Sequence, residues 1–463
     1  MVDNFLFAGI DVGSSSIKYS VSSYSENAII SSGRVRYPAD TFTQNSINVS
    51  NIEKLFFRVI KNLDSSGVKY FGISSMAPVM ILVDSTLNPL SAIPYNSLLG
   101  SDMIPDLDFE EIRKKTFNFP NVQMFHQKVM WLRANKPRIL ESTRWILDLN
   151  SYLFLKFSGE PIMPVQDVNT ALEWGLYDLT KKTWDFETAE FLEIEQMLPD
   201  IVSPEFSTVK EGRSLSIGTV DTLVSALGSI GISKDKMFLS NGSTLCAGFV
   251  SDEPIETRHM YNDLYFNGKY LLNGCNSQFS TIIDWAEKSF RKRINVNDID
   301  MTPRNVMFLP YLDGERAPLF DSNIRSAMFD IDRSATNDDI IAAVVHSLCY
   351  LTVDMIEHLK SLSNRSFLSV IAGGGLSKRN LASVISSLTG LNYEITGVEP
   401  TTIGATMIAM KSNGFIRDYP VDAEKYGLRI EGKVYPNNNL KAHEKNYEKF
   451  KKFRALLQTY YND

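Results

Sequence analysis

One local pattern occurs twice in this chain and constrains its fold more than any other feature. The almost wholly apolar run Phe5-Leu6-Phe7-Ala8-Gly9-Ile10 leads into Asp11-Val12-Gly13-Ser14-Ser15-Ser16-Ile17-Lys18. The apolar run predicts a buried strand, and Gly13 with its hydroxyl neighbours predicts a reversal. Ile17, Tyr19 and Val21, alternating with Lys18 and Ser20, predict a second strand. Met237-Phe238-Leu239-Ser240, followed by Asn241-Gly242-Ser243-Thr244 and Leu245 to Val250, repeats the arrangement. A turn of such small residues leaves backbone N–H groups open to an anion such as a polyphosphate. The same composition serves ordinary turns. It is not a P-loop, which needs a Gly-Lys-Ser/Thr ending and a following helix. Two copies in one chain predict two related domains that face one nucleotide, with Asp11 offering a carboxylate to hydrated Mg²⁺ and Lys18 a positive charge beside it.

At 463 residues and 44% hydrophobic content, the chain has enough apolar material for two or three domains with real cores. A net charge of −7 argues against a nucleic-acid partner. Three cysteines, Cys246, Cys275 and Cys349, show no CxxC spacing, and their odd number makes a disulfide framework an unfavoured expectation. Neither an apolar stretch of membrane-spanning length nor a basic leader is evident, so the expectation is a cytoplasmic chain with no membrane partner. The five histidines are scattered and suggest no His-based metal site.

Between and beyond the hairpins, periodicity predicts further elements. Ser50 and Asn51 read as caps of a helix carrying Ile52, Leu55, Phe56, Val59, Ile60 and Leu63, followed by strands over 68–74 and 79–83. Met76-Ala77-Pro78 between those strands is either a ligand position at a strand end or a simple turn. Residues 91–135 read as loops and helices over the sheet, and Trp145 to Phe157 as an amphipathic helix. The polar cluster Gln166-Asp167-Val168-Asn169-Thr170-Ala171, near Tyr177-Asp178 and Trp184-Asp185, fits either a polyol or turn chemistry. Asp221 opens an apolar helical pattern and is either a cap or a carboxylate held ionised at a helix start. From Asn337 a long stripe of Ile, Val and Leu predicts a core helix. Gly373-Gly374-Gly375 after the strand at 367–371 permits either close approach of a ribose or tight helix–strand packing. His443 to Tyr461 reads as a surface helix.

Together these residues resemble the FGGY carbohydrate kinases, within the superfold shared by sugar kinases, actin and heat-shock chaperone ATPases, along nearly the whole chain. Asp11-Gly13-Ser14-Ser15-Lys18 is similar to the family's first phosphate motif and Gly242-Ser243-Thr244 to its second. Pro310-Tyr311-Leu312 with Gly314-Glu315-Arg316-Ala317-Pro318, Asp321 and Arg325 is similar to its signature loop. Gly373-Gly374-Gly375 with Ser377, and Thr402, Gly404 and Ala405 downstream, resemble its adenosine elements. The resemblance implies an α/β fold of two ribonuclease H-like, actin-like ATPase domains with a cleft between them, spanning 1–235 and 236–463.

It also implies ATP and Mg²⁺ as cofactors and a small sugar or polyol as partner, and it allows a homodimer. Asp221 falls in the place of the catalytic aspartate, and Asp11 in that of the metal-binding one. Gly13, Ser14, Ser15, Lys18, Gly242, Ser243, Thr244, Gly374, Gly375 and Lys378 would hold the nucleotide. Met76, Ala77, Asn96, Asp221 and Thr222 would face the acceptor. The implied reaction is transfer of the γ-phosphoryl group to a ketopentose such as xylulose. Gluconate or glycerol as acceptor, or a non-catalytic ATP-binding regulator of the actin or chaperone type, are the alternatives. Two segments depart from the family pattern: Ser75-Met76-Ala77-Pro78 stands where many pentulose kinases have Gln-Met-His-Gly, and Tyr95-Asn96-Ser97 where they have Trp-Asn-Asp. The sugar-facing His and Asp are therefore missing.

Overall fold

A computed structural model describes residues 5–103, 108–159, 163–437 and 441–462. Met1 and Asp463, the outer limits of the two expected domains, and residues 104–107 of the 91–135 stretch lie outside the described residues. Two large sheets organise the chain. The first comprises β1 (Leu6–Val12), β2 (Ser16–Ser23), β3 (Ala28–Arg36), β4 (Tyr70–Ser75), β5 (Ser207–Lys210) and β6 (Arg213–Val220), in the order β5-β6-β4-β1-β2-β3. The second comprises β7 (Lys236–Asn241), β8 (Leu245–Ser251), β9 (Tyr261–Tyr265), β10 (Lys269–Cys275), β11 (Ser369–Gly373), β12 (Asn392–Thr396) and β13 (Ile430–Val434), in the order β9-β10-β8-β7-β11-β12-β13.

The two sheets share a plan. Each opens with an antiparallel hairpin, β1–β2 or β7–β8, and its first strand also pairs in parallel with a later one, β4 or β11. A further parallel strand follows, β6 or β12, edged by an antiparallel one. Parallel neighbours need crossovers, and helices supply them. Val49–Ser65 joins β3 to β4 and buries Ile52, Phe56 and Ile60 on one stripe, while Asn337–Ser361 joins β10 to β11 and is buried along most of its length. That second helix is the one described helix long and apolar enough to cross a membrane, and its apolar residues fill the core of the second lobe. The strands of the first sheet end at Val220 and those of the second begin at Lys236.

Three expectations are corrected. Val49–Ser65 starts just after Asn48, so Ser50 and Asn51 lie within its first turn. Trp145 to Phe157 is not one helix: Trp145–Leu147 is a strand on Met80–Val83, Asp148 caps the break by accepting from the Leu149 N–H, and Leu149–Ser158 is the helix. The disulfide expectation also fails. Cys246 and Cys275 lie directly opposite each other on β8 and β10 and are bonded, while Cys349 is buried and free. Antiparallel pairing brings together two side chains that sequence spacing leaves unrelated.

The lobes join through two helices, Asp221–Ile230 and Pro400–Ser412. A Cβ on Gly228 would lie 1.8 Å from the Pro400 carbonyl oxygen, and one on Gly404 would lie 2.0 Å from that of Val224. Only glycine permits backbones to approach this closely. Around them Phe7, Leu223, Leu227, Ile403 and Met407 form a shared apolar core.

Candidate active site

Between the lobes lies a cavity of about 200 Å³, and both glycine turns line it. In the first turn the Gly13 N–H donates to the Ser16 carbonyl at 3.2 Å, and Gly13, Ser14, Ser15 and Ser16 all face the cavity. Asp11 and Lys18 are paired across β1 and β2, which brings Lys18 Nζ to 3.4 Å from Asp11 Oδ2. Lys18 also donates to Glu399 Oε2 of the second lobe at 2.9 Å. Burial pushes the Asp11 carboxyl up to about 7 against the pull of Lys18. Burial works to lower the Lys18 ammonium, but Asp11 and Glu399 hold it above its ordinary value.

The other Asp11 oxygen, Oδ1, is buried without a hydrogen-bond partner. An unpaired buried carboxylate oxygen facing the cavity fits a cation held through water. Among the described residues no group of three or more His, Cys, Asp or Glu could hold a metal by itself. Mg²⁺ would therefore come with the phosphates, as this hard ion does at sites with one or two carboxylates.

The second turn is shorter, with the Gly242 N–H donating to the Thr244 carbonyl at 3.0 Å. Gly242, Ser243 and Thr244 line the same cavity. Ser240, not a carboxylate, stands in the register place of Asp11, and Asn241 beyond it turns its amide nitrogen to the Ser377 and Tyr393 hydroxyls, each at 3.0 Å. The disulfide lies immediately below: Cys246 Sγ is 3.8 Å from Thr244 Oγ1, and Cys275 Sγ is 3.9 Å from Thr222 Oγ1. Gly374 and Gly375 line an adjoining cavity of about 440 Å³ that includes Lys18 and Glu399, so they border the first cavity without entering it. Lys378 precedes the Arg379–Thr389 helix and lines neither.

Asp221 is the first residue of the Asp221–Ile230 helix and faces the cavity with Thr222, whose hydroxyl donates to Asp221 Oδ1 at 3.3 Å. Burial raises its carboxyl, opposed by the Thr222 N–H at the helix start and by Lys18 and Arg316. The cap reading is corrected, because Val220 holds the cap position and Asp221 is the first helical residue; the helix start does place its carboxyl at the cavity, but burial works against its ionised form. Met76 and Ala77 line the cavity; Asn96 does not, and its neighbour Tyr95 does.

The signature loop acts as a brace. Glu315 Oε1 accepts from the Ser277 N–H at 2.6 Å and the Arg316 N–H at 2.9 Å, which leaves the Arg316 side chain at the cavity wall. The polar cluster at 166–171 is structural: Asp167 accepts from the Thr170 N–H and the Thr219 hydroxyl, and Gln166 from the Asp148 N–H. Asp185 caps a helix and pairs with Lys115.

Sequence reasoning missed much of the cavity wall: Tyr95, Asn118, Gln123, Glu173, Tyr261, Asp263, Asn273 and Glu399. Glu173 is the last residue of the helix whose start was singled out, so helical periodicity extended from Asn169 would have found it.

A cleft formed where two copies of one strand order meet, with matched glycine turns on opposite walls, fits a phosphotransferase of the sugar-kinase type. The chain belongs to the FGGY family of carbohydrate kinases, whose N-terminal domain matches residues 6–228 and whose C-terminal domain matches residues 237–412. It is 23% identical to a xylulose kinase of Lactococcus lactis, over 96% of this chain and 95% of that one. The fold is similar to that of a gluconate kinase from Lactobacillus acidophilus, with a TM-score of 0.87, 19% identity and 99% of each chain covered. It is also similar to a Plasmodium falciparum glycerol kinase solved with ADP, with a TM-score of 0.82, 18% identity and 98% of each chain covered. The protein is an ATP-dependent carbohydrate kinase acting on a small-molecule sugar.

Proposed function

We propose that this kinase transfers the γ-phosphoryl group of MgATP to a hydroxyl of a ketopentose such as xylulose, with Asp221 as the residue that orients the hydroxyl and takes its proton. The observation that carries this reading is the position of Asp221, at a helix start facing the cavity that both glycine turns also face. Phosphoryl transfer has a loose transition state, so positioning and charge neutralisation matter more than a strong base. Burial nevertheless raises the Asp221 carboxyl and makes it a better proton acceptor than an exposed one.

Gly13, Ser14 and Ser15 from one lobe and Gly242, Ser243 and Thr244 from the other would hold the phosphates, with Lys18 leaving Glu399 for a phosphate oxygen. Gly374 and Gly375 would flank the adenosine, with Lys378 at its outer edge, and Asp11 would hold Mg²⁺ through water. The ion supplies charge neutralisation on the phosphates. The two lobes would divide near residue 235. A cytoplasmic setting, where ATP is available, fits this activity, and a homodimer is compatible with it.

Coupled ADP release against ketoses, polyols and sugar acids tests the proposal. Xylulose is expected to give the highest kcat/KM, and Asp221→Ala is expected to lower kcat by at least about 10³-fold while ADP still binds. An unchanged rate in Asp221→Ala removes that residue from the chemistry.

A further inference from the structure

The acceptor end of the cavity carries two carboxyls that no family motif supplied, one from each lobe. Glu173 ends the Val168–Glu173 helix of the first lobe, and that helix packs on β9 of the second. On β9, side chains alternate. Tyr261 and Asp263 face the cavity, while Asn262 between them turns back and ties the lobes together: its N–H donates to Asn118 Oδ1 at 2.7 Å, its amide donates to the Phe117 carbonyl at 3.1 Å, and its carbonyl accepts from Asn118 Nδ2 at 2.8 Å. The latch fixes Asp263 opposite Glu173.

Asp263 is only 4% exposed, and one of its oxygens accepts from Asn273 Nδ2 at 2.6 Å. Glu173 makes no ion pair and no hydrogen bond from its carboxyl among the described residues, although it faces the cavity. Arg316, which also lines the cavity, donates to the Asn276 carbonyl at 2.6 Å and lies over the Tyr95 ring. A half-buried carboxyl left unpaired in a closed site is completed by whatever binds there. With the His and Asp absent at Ala77 and Ser97, Glu173 and Asp263 are the carboxyls that line the cavity here, one from each lobe.

We infer that Glu173 and Asp263 are specificity-determining residues that jointly accept hydrogen bonds from the hydroxyls of an uncharged polyhydroxy acceptor, bridging the lobes through it, and that they exclude acceptors carrying a carboxylate. The inference rests on the proposed transfer to a small-sugar hydroxyl. An aldonate brought to this wall places its carboxylate against the carboxyls of Glu173, Asp263 and Asp221, whereas a ketose or polyol supplies only donors and acceptors. Specificity built on buried polar partners discriminates strongly, because the wrong ligand leaves them unpaired.

The test compares wild type with Glu173→Gln and Asp263→Asn, measuring kcat and KM separately for D-xylulose, glycerol and D-gluconate. Wild type is expected to favour the better neutral acceptor over gluconate by about 100-fold in kcat/KM. Each variant is expected to raise the KM for that acceptor about tenfold and to shrink the preference over gluconate below about tenfold. Calorimetric binding of MgADP confirms that each variant is folded, and if Asp263→Asn does not bind, Glu173→Gln decides alone. A wild type that prefers gluconate, or a Glu173→Gln variant within twofold of wild type in KM and in preference, overturns the inference. If no acceptor is phosphorylated, calorimetry with the same three compounds separates the two readings. Tighter binding of a neutral compound, weakened in Glu173→Gln, upholds the pair while ending the transfer reading, and absence of that discrimination ends both.

Discussion

The two glycine turns face one cavity but are built on opposite electrostatic terms. The first is charged: Asp11 lies beneath it with one oxygen unpaired, and Lys18 is drawn between Asp11 and Glu399. The second is neutral: the Asn241 amide nitrogen is bonded to Ser377 and Tyr393 while its oxygen is buried without a partner, and a covalent link between β8 and β10 ties down its base. One turn therefore carries groups that can change partner when a ligand arrives, while the other is a fixed cradle of N–H and hydroxyl donors. The lobes differ in the same sense at their braces. Asp148 in the first lobe accepts from the Val79 and Leu149 N–H groups and the Trp174 indole. Glu315 in the second accepts from the Ser277 and Arg316 N–H groups.

If the first turn carries the adaptable charge, its loss should be the costliest. Asp11→Asn is expected to lower kcat/KM by about 10²–10³-fold, the scale of removing one preorganised electrostatic group. Asn241→Ala should cost far less; steady-state kinetics on both variants makes the comparison, and equal losses would break it. If the second turn is fixed by its covalent link, Cys275→Ser should destabilise the second lobe by about 3 kcal/mol, as for other loops of some tens of residues. Denaturant unfolding reads this, and an unchanged midpoint would show that the cradle stands without the bond.

The braces sharpen the comparison through pH. Burial pushes Asp148 up to about 7 and Glu315 up to about 8. A carboxyl whose folded value is raised contributes stability that is fully present below its unfolded value and is lost as pH rises through the folded one. Stability, read from thermal unfolding, should therefore fall with rising pH from about 4 to about 7 for Asp148 and to about 8 for Glu315, by up to about 1.4 kcal/mol per pH unit for each group within its own range. Asp148→Asn should flatten the lower part of that range and Glu315→Gln the upper part; an unaltered slope in both would assign the dependence elsewhere. The smallest effect is expected from Thr244→Ala, whose lost hydroxyl should raise the KM for ATP by up to about tenfold, the worth of one neutral hydrogen bond.

What could be read from the chain in advance follows the range of the interactions involved. The turns at Gly13 and Gly242 and the helix from Asn337 are local patterns, in which a few consecutive residues dictate the backbone. Trp145 misled because its short apolar strand runs straight into an apolar helix, and only the contact of Asp148 with Val79, far back in the chain, marks the break. Cys246 and Cys275 meet through strand register, and Glu173 and Asp263 through the meeting of two lobes, so no spacing announces either pair. Asn96 was placed one residue away from the side chain that faces the cavity, a slip that loop geometry permits and periodicity cannot correct. The two glycine turns were thus legible and the rest of the cavity wall largely hidden, because the turns are made of backbone and that wall of side chains from distant segments.

The grip of Glu399 on Lys18 sets a condition for any anion that would pair with this ammonium. A newcomer has to outbid a carboxylate from the facing lobe, at 2.9 Å, for a single ammonium. The contact therefore ties the two lobes at the rim of the cavity, and releasing it frees both a cation and a carboxylate at once.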